Sequence, residues 1–215
     1  MDIVISAACA LALVGPCARS LKHRCSAWYA AAAVLAAAVA VSTLAGFQWS
    51  PIAMLLVPIR SGMLAFVLLS IVMFTGVCRP GSKTRVRLVQ IRRPLSLVAA
   101  ILACAHCVCA VPWVRAAGFS SVFAGAWQKA LCAFVLIALA VLALTSLSVV
   151  ADHMRQTTWR RIHMLSYLFY PALCLHAALL CASSSPAYAI GYCLCATAYV
   201  VLRVRRYKRD RAFRR

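Results

Sequence analysis

Apolar and polar residues fall into long blocks along this chain. Seven uncharged apolar runs stand out: Ile3 to Ala18, Ala27 to Phe47, Gly62 to Cys78, Leu95 to Val114, Ala130 to Val150, His163 to Ala182 and Tyr188 to Leu202. Most approach the ~20 residues that a helix needs to cross a bilayer, with the first, third and last marginal. The pattern predicts an all-α, polytopic transmembrane helical bundle of about 7 TM helices, with no soluble core.

Composition agrees, with 65% hydrophobic residues and a mean hydropathy of +0.91. The second run is rich in alanine, and Ala30 to Ala40 contains only Ala, Val and Leu. Small residues of this kind let helices pack closely in lipid.

A net charge of +20 would suit a nucleic-acid binder, but its distribution excludes that reading. Of the 23 Lys and Arg, all but Arg60, Arg115 and Lys129 fall on one side of a seven-helix arrangement. This is the positive-inside pattern, and it predicts a multi-pass protein of the cell (inner or plasma) membrane with its N-terminus outside and its C-terminus in the cytoplasm. The first run opens Met-Asp and carries its basic residues afterwards, the reverse of a secretory signal, so it reads as an uncleaved helix.

The connections carry their own signals. Gln48 to Arg60, with Trp49, Pro51 and Pro58, reads as an outer interfacial connection. Arg60 would either snorkel to the headgroups or hold an anionic group such as a cofactor carboxylate. Arg79-Pro80-Gly81-Ser82 reads as a turn that opens the largest cytoplasmic loop, with Pro94 at the first position of the fourth helix. His23, Asp152 and His153 read as solvated or interfacial.

The candidate chemistry lies in Trp159 to His176, W-R-R-I-H-M-L-S-Y-L-F-Y-P-A-L-C-L-H. His176 stands 13 residues beyond His163, and His106 stands 13 residues beyond Arg93. At the helical rise each lies about 20 Å above the cytoplasmic boundary, so on two helices of the same direction the pair reaches one height. Ionisable side chains inside a membrane are costly and normally face a partner or a cofactor. Two depth-matched imidazoles suit the two axial positions of a haem iron. The structural alternative is a set of interhelical hydrogen bonds, and a closed zinc site would need four ligands. Pro171 is expected to kink the sixth helix, without which His163 and His176 would point to different faces.

Most of the twelve cysteines lie inside apolar runs, where they act as small hydrophobes. Cys104-x-x-Cys107 is expected to be buried beside His106 as packing.

At these two helices the sequence resembles the ferric reductase-like transmembrane family, and within it the MsrQ-like haem-binding membrane subunits. The family's basic pair, Leu, small residue, Leu and spaced His are met by Arg92, Arg93, Leu95, Ser96, Leu97 and His106. Its Trp, aliphatic, His, Leu, Tyr and second His are met by Trp159, Ile162, His163, Leu165, Tyr167, Leu175 and His176. Ala143-Leu144-Thr145-Ser146 and the basic tail from Arg203 also look similar, and the likeness covers about helices two to seven. A motif at the start of the third helix is reduced to Ser61-Gly62, and a Thr-Pro is here Thr75-Gly76.

The resemblance implies a six-helix haem-binding core at 27–204, an additional N-terminal helix with a basic cytoplasmic loop at 1–26 and a basic cytoplasmic tail at 205–215. It implies haem b ligated by His106 and His176, with His163 a ligand of a second, cytoplasm-side haem; some relatives bind flavin mononucleotide (FMN). It further implies electron transfer from a cytoplasmic flavoprotein or quinone to an extracytoplasmic reductase, past Arg92, Arg93, Arg160 and Arg161. No Gly-rich dinucleotide-binding unit is visible, so a separate electron donor is expected. Two other functions fit the same composition: a membrane thiol/disulfide carrier, or a transporter or scaffold with structural histidines.

Overall fold

Lipid offers no partner for a backbone N–H or C=O, so an apolar run must satisfy both within itself. In the computed structural model, which describes residues 2–46, 56–79, 81–118, 122–123, 125–182 and 184–212, every apolar run is helical and no strand occurs among the described residues. The helices are α1 (Asp2–Val14), α2 (Ala18–His23), α3 (Cys25–Leu44), α4 (described residues 56–60), α5 (Met63–Thr75), α6 (Lys83–Ala117), α7 (Ala126–Leu144), α8 (Ser148–Ala151), α9 (Gln156–His163), α10 (Ser166–Cys181) and α11 (Pro186–Ala212).

Five of these spans are long and apolar enough to cross a membrane: α3, α6, α7, α9 with α10, and α11. The first and third runs form shorter apolar helices, as their length predicted. The last run does not remain marginal, because its helix continues through the basic residues to a length of 27. Large apolar side chains such as Val34, Ile137, Leu168 and Leu194 point outward. That distribution suits lipid-facing helices rather than a water-soluble surface.

Three boundaries differ from expectation. The stretch 83–93 is helical rather than loop, because Ser82 accepts the Arg85 N–H at 3.2 Å as an N-cap and good helix formers follow. Pro94 therefore lies inside α6 and does not start it. The fifth run breaks after Leu144, where the Thr145 and Ser146 hydroxyls donate to the Val141 and Leu142 carbonyls, each at 2.7 Å, and Leu147 turns extended. The sixth run is interrupted at Met164 and Leu165, while Pro171 sits within α10. There the Ser166 hydroxyl takes the His163 carbonyl at 2.6 Å, and Leu165, Tyr167 and Leu168 make tighter bonds to the third residue back. Trp49 and Pro51 lie outside the described residues, and Pro58 is fully buried in α4.

The chain divides into two compact units, Met1–Thr75 with Pro80–Phe119, and Gly76–Arg79 with Ser120–Arg215. In the first, α3 and α5 pack along α6, and α1 packs on α5. The alanine-rich α3 buries Ala32, Ala36 and Val39, one stripe of the helix, while α6 buries Ala99, Leu102 and Ala105. Close approach through small side chains is how helices associate in lipid. In the second unit, α10 packs on α11 and α7, and the fully buried Tyr170 meets Tyr199 edge-on at 5.0 Å between ring centres.

Candidate functional site

His106 is carried on α6, the helix against which α2, α3 and α5 pack. Its imidazole is half-buried, and its Nδ1 lies 2.7 Å from the backbone carbonyl oxygen of Arg60. A carbonyl oxygen only accepts, so Nδ1 carries the hydrogen, and in the neutral ring Nε2 then carries the lone pair. A hydrogen bond of this kind fixes the tautomer and ring orientation of metal-ligating histidines and raises their basicity.

The chain brings Arg60 to this ring through a turn between α4 and α5. Gly62 adopts a φ of +75°, and a Cβ at that position would lie 2.9 Å from Cγ of His106. Both the backbone conformation and the close approach therefore require glycine. Gly62, from the pair that is reduced as a sequence motif, lies directly against the imidazole.

Polar side chains of α3 bond to Arg60 and to α6. Arg60 Nη2 donates to Ser42 Oγ at 3.1 Å, and Cys109 Sγ lies 3.4 Å from Thr43 Oγ1. Cys104, expected beside His106, is exposed, because two residues at about 100° each place it on the far side of the helix. Cys107 is half-buried, and all twelve cysteines are free thiols.

His163 and His176 belong to the second unit. His163 ends α9, stacked on Trp159 with 4.0 Å between ring centres. Its Nε2 lies 3.2 Å from Thr145 Oγ1. The Thr145 hydroxyl hydrogen is already directed to Val141, so Nε2–H is the donor here. Trp159 Nε1 donates to the Thr145 carbonyl at 3.0 Å, satisfying one of the open carbonyls at the end of α7. Thr145 thus anchors both rings of α9.

His176 is half-buried on α10, with its ring stacked against Phe123 at 6.3 Å and 19°. Nearer the start of that helix, Arg203 lies 4.0 Å over the Tyr167 ring, and Arg203 and Arg206 both donate to the Gly76 carbonyl. Of the remaining histidines, His23 and His153 are exposed, as expected, and His153 bonds the Val149 carbonyl of its own turn.

Among the described residues no three His, Cys, Asp or Glu side chains gather into one group. Haem needs no such group, since the macrocycle supplies four nitrogens and the chain only the axial ones. An imidazole with Nδ1–H tied to a carbonyl fits that requirement. Arg60, Gly62, Thr145 and Phe123 stand 46, 44, 18 and 53 residues from the histidines they touch, and no local spacing ties them to those rings.

A family model described as ferric reductase like transmembrane component matches residues 61–174, just over half of the chain. The match opens at the Ser61-Gly62 turn, contains His106 and His163, and closes two residues before His176. No curated protein and no solved structure matches the chain.

Proposed function

The chain belongs to the family of ferric reductase like transmembrane components, and on that premise we propose that it is an MsrQ-like b-type haem membrane protein. It carries electrons from a cytoplasmic flavin reductase or the quinone pool to an extracytoplasmic reductase. Membrane electron transfer is the function class that goes with the family; haem, direction and partners are the further steps taken here. Residues 27–204 form the haem-binding core, 1–26 an additional helix and 205–215 a cytoplasmic tail.

The observation that carries the reading is the bond from His106 Nδ1–H to the Arg60 carbonyl, which prepares Nε2 for iron. His176, which the sequence spacing puts at about the depth of His106, would hold the haem together with it. Haem b supplies a one-electron iron couple at that depth. The apolar helices exclude water from it, and ligand identity and burial set its potential. His163, whose Nε2 lies 3.2 Å from Thr145 Oγ1, is assigned to a second, cytoplasm-side haem.

Arg160 and Arg161 are exposed at the start of the α9–α10 span, and with Arg92 and Arg93 they give the cytoplasmic side a positive field that draws in an acidic donor. The test is optical. The purified full chain is expected to show a Soret band and b-type peaks on dithionite reduction, and a colourless protein with titrating thiols would point to a thiol carrier instead.

A further inference from the structure

The last helix does not end where its apolar run ends. From Leu202, α11 continues through Arg203, Arg205, Arg206, Lys208, Arg209 and Arg211, six basic residues against one acid, Asp210. At the helical rise Pro186 to Leu202 spans about 25 Å, just short of the hydrocarbon core of a bilayer, so the first basic turns lie at headgroup depth. The exposed Tyr207 agrees, since tyrosine collects at that interface.

The basic residues divide by face. Arg203 and Arg206 are half-buried and both donate to the Gly76 carbonyl, while Arg203 also lies 4.0 Å over the Tyr167 ring. Those contacts fix the rotation of the helix. On its outward side Val201, Val204, Arg205 and Lys208 are all exposed. Their spacing, i, i+3, i+4 and i+7, makes them one continuous patch, with the valines toward the apolar run and the cations about one turn beyond. Like charges three and four residues apart, as in Arg205, Lys208 and Arg209, weaken a bare helix. The helix dipole favours cations only in the last turn, which holds Arg209 and Arg211. An anion shared by Arg205 and Lys208 removes that repulsion, and the adjoining valines suit an anion that carries an acyl chain.

We propose that this patch seats an anionic phospholipid of the leaflet at this end of α11, its acyl chain along Val201 and Val204 and its phosphate on Arg205 and Lys208. Phosphatidylcholine brings its own ammonium to the phosphate and gains less there, and an acidic protein would find the valines already covered by lipid. The inference goes beyond the haem reading and needs only the membrane helix.

The experiment loads the detergent-solubilised full chain with dioleoylphosphatidylglycerol or dioleoylphosphatidylcholine, identical in their acyl chains, and counts bound lipid per protein by native mass spectrometry. Wild type is expected to prefer phosphatidylglycerol by roughly tenfold or more, the scale of two basic residues at an anionic surface. Arg205→Gln with Lys208→Gln is expected to lose most of that preference. Arg19→Gln with Arg24→Gln, which removes two exposed charges from the first unit, is expected to keep it. Equal losses in the two double variants would reduce the effect to overall charge and overturn the site, as would a preference that survives in the α11 variant. Indifference of wild type to the headgroup overturns it as well and leaves the patch to an acidic protein. Circular dichroism checks that each variant keeps its helices. If the α11 double variant does not fold, Lys208→Gln alone is expected to lose part of the preference, and an unchanged ratio there overturns the site.

Discussion

A methyl group on Gly62 would stand 2.9 Å from Cγ of His106, closer than a Cβ packs against a ring. Gly62 also has a φ of +75°, where an L side chain costs ~1–2 kcal/mol. Gly62→Ala is therefore expected to displace the imidazole and reduce haem per chain to a minor fraction of wild type, read from Soret absorbance against protein. Ser61→Ala removes only a long 3.4 Å bond from the Met63 N–H and should leave haem content at the wild-type level. Equal haem in Gly62→Ala and wild type would show that the turn does not position the ring.

Thr145 is the shared anchor of His163 and Trp159. Thr145→Val leaves the His163 Nε2–H without its acceptor, a loss of ~1 kcal/mol, while keeping the side-chain volume. Thermal unfolding in detergent should shift down by a few degrees with the Soret band of wild-type intensity. Trp159→Phe keeps a ring for stacking but deletes the donor to the Thr145 carbonyl, and should destabilise by a similar amount. A large loss of haem from either variant would place His163 among the principal iron ligands.

Exposed Arg160 and Arg161 are expected to attract an anionic donor through a field that salt screens over about 8–10 Å. In the double variant Arg160→Gln, Arg161→Gln, the initial rate of haem reduction by reduced FMN should fall several-fold at low ionic strength. The two proteins should converge at high salt. A difference that persists in high salt would mean that these arginines act by contact or structure.

The helical runs were legible because lipid demands long uncharged segments, and the seven runs survive as helices. Their ends were not, since these depend on hydroxyls rather than on hydropathy. Ser82 caps a helix that begins in polar sequence, and Thr145 and Ser146 close α7 inside an apolar run. His106 and His176 were visible as costly polar side chains inside apolar runs. Their neighbours were not, because Arg60, Gly62 and Phe123 reach the rings only through the tertiary fold.

The cysteines are read as packing. Cys104 faces outward, Cys107 is half-buried, and both are free thiols. Replacing both with serine should leave haem content and the rate of haem reduction unchanged. A chain that keeps its haem but loses electron transfer would reveal a thiol relay that the fold does not otherwise indicate.

The central claim concerns two imidazoles and one iron, and haem quantitation per chain in three single variants tests it most directly. His106→Ala and His176→Ala are each expected to lose most of the haem, while His163→Ala loses at most part. Equal haem in all three variants and wild type would contradict the assignment.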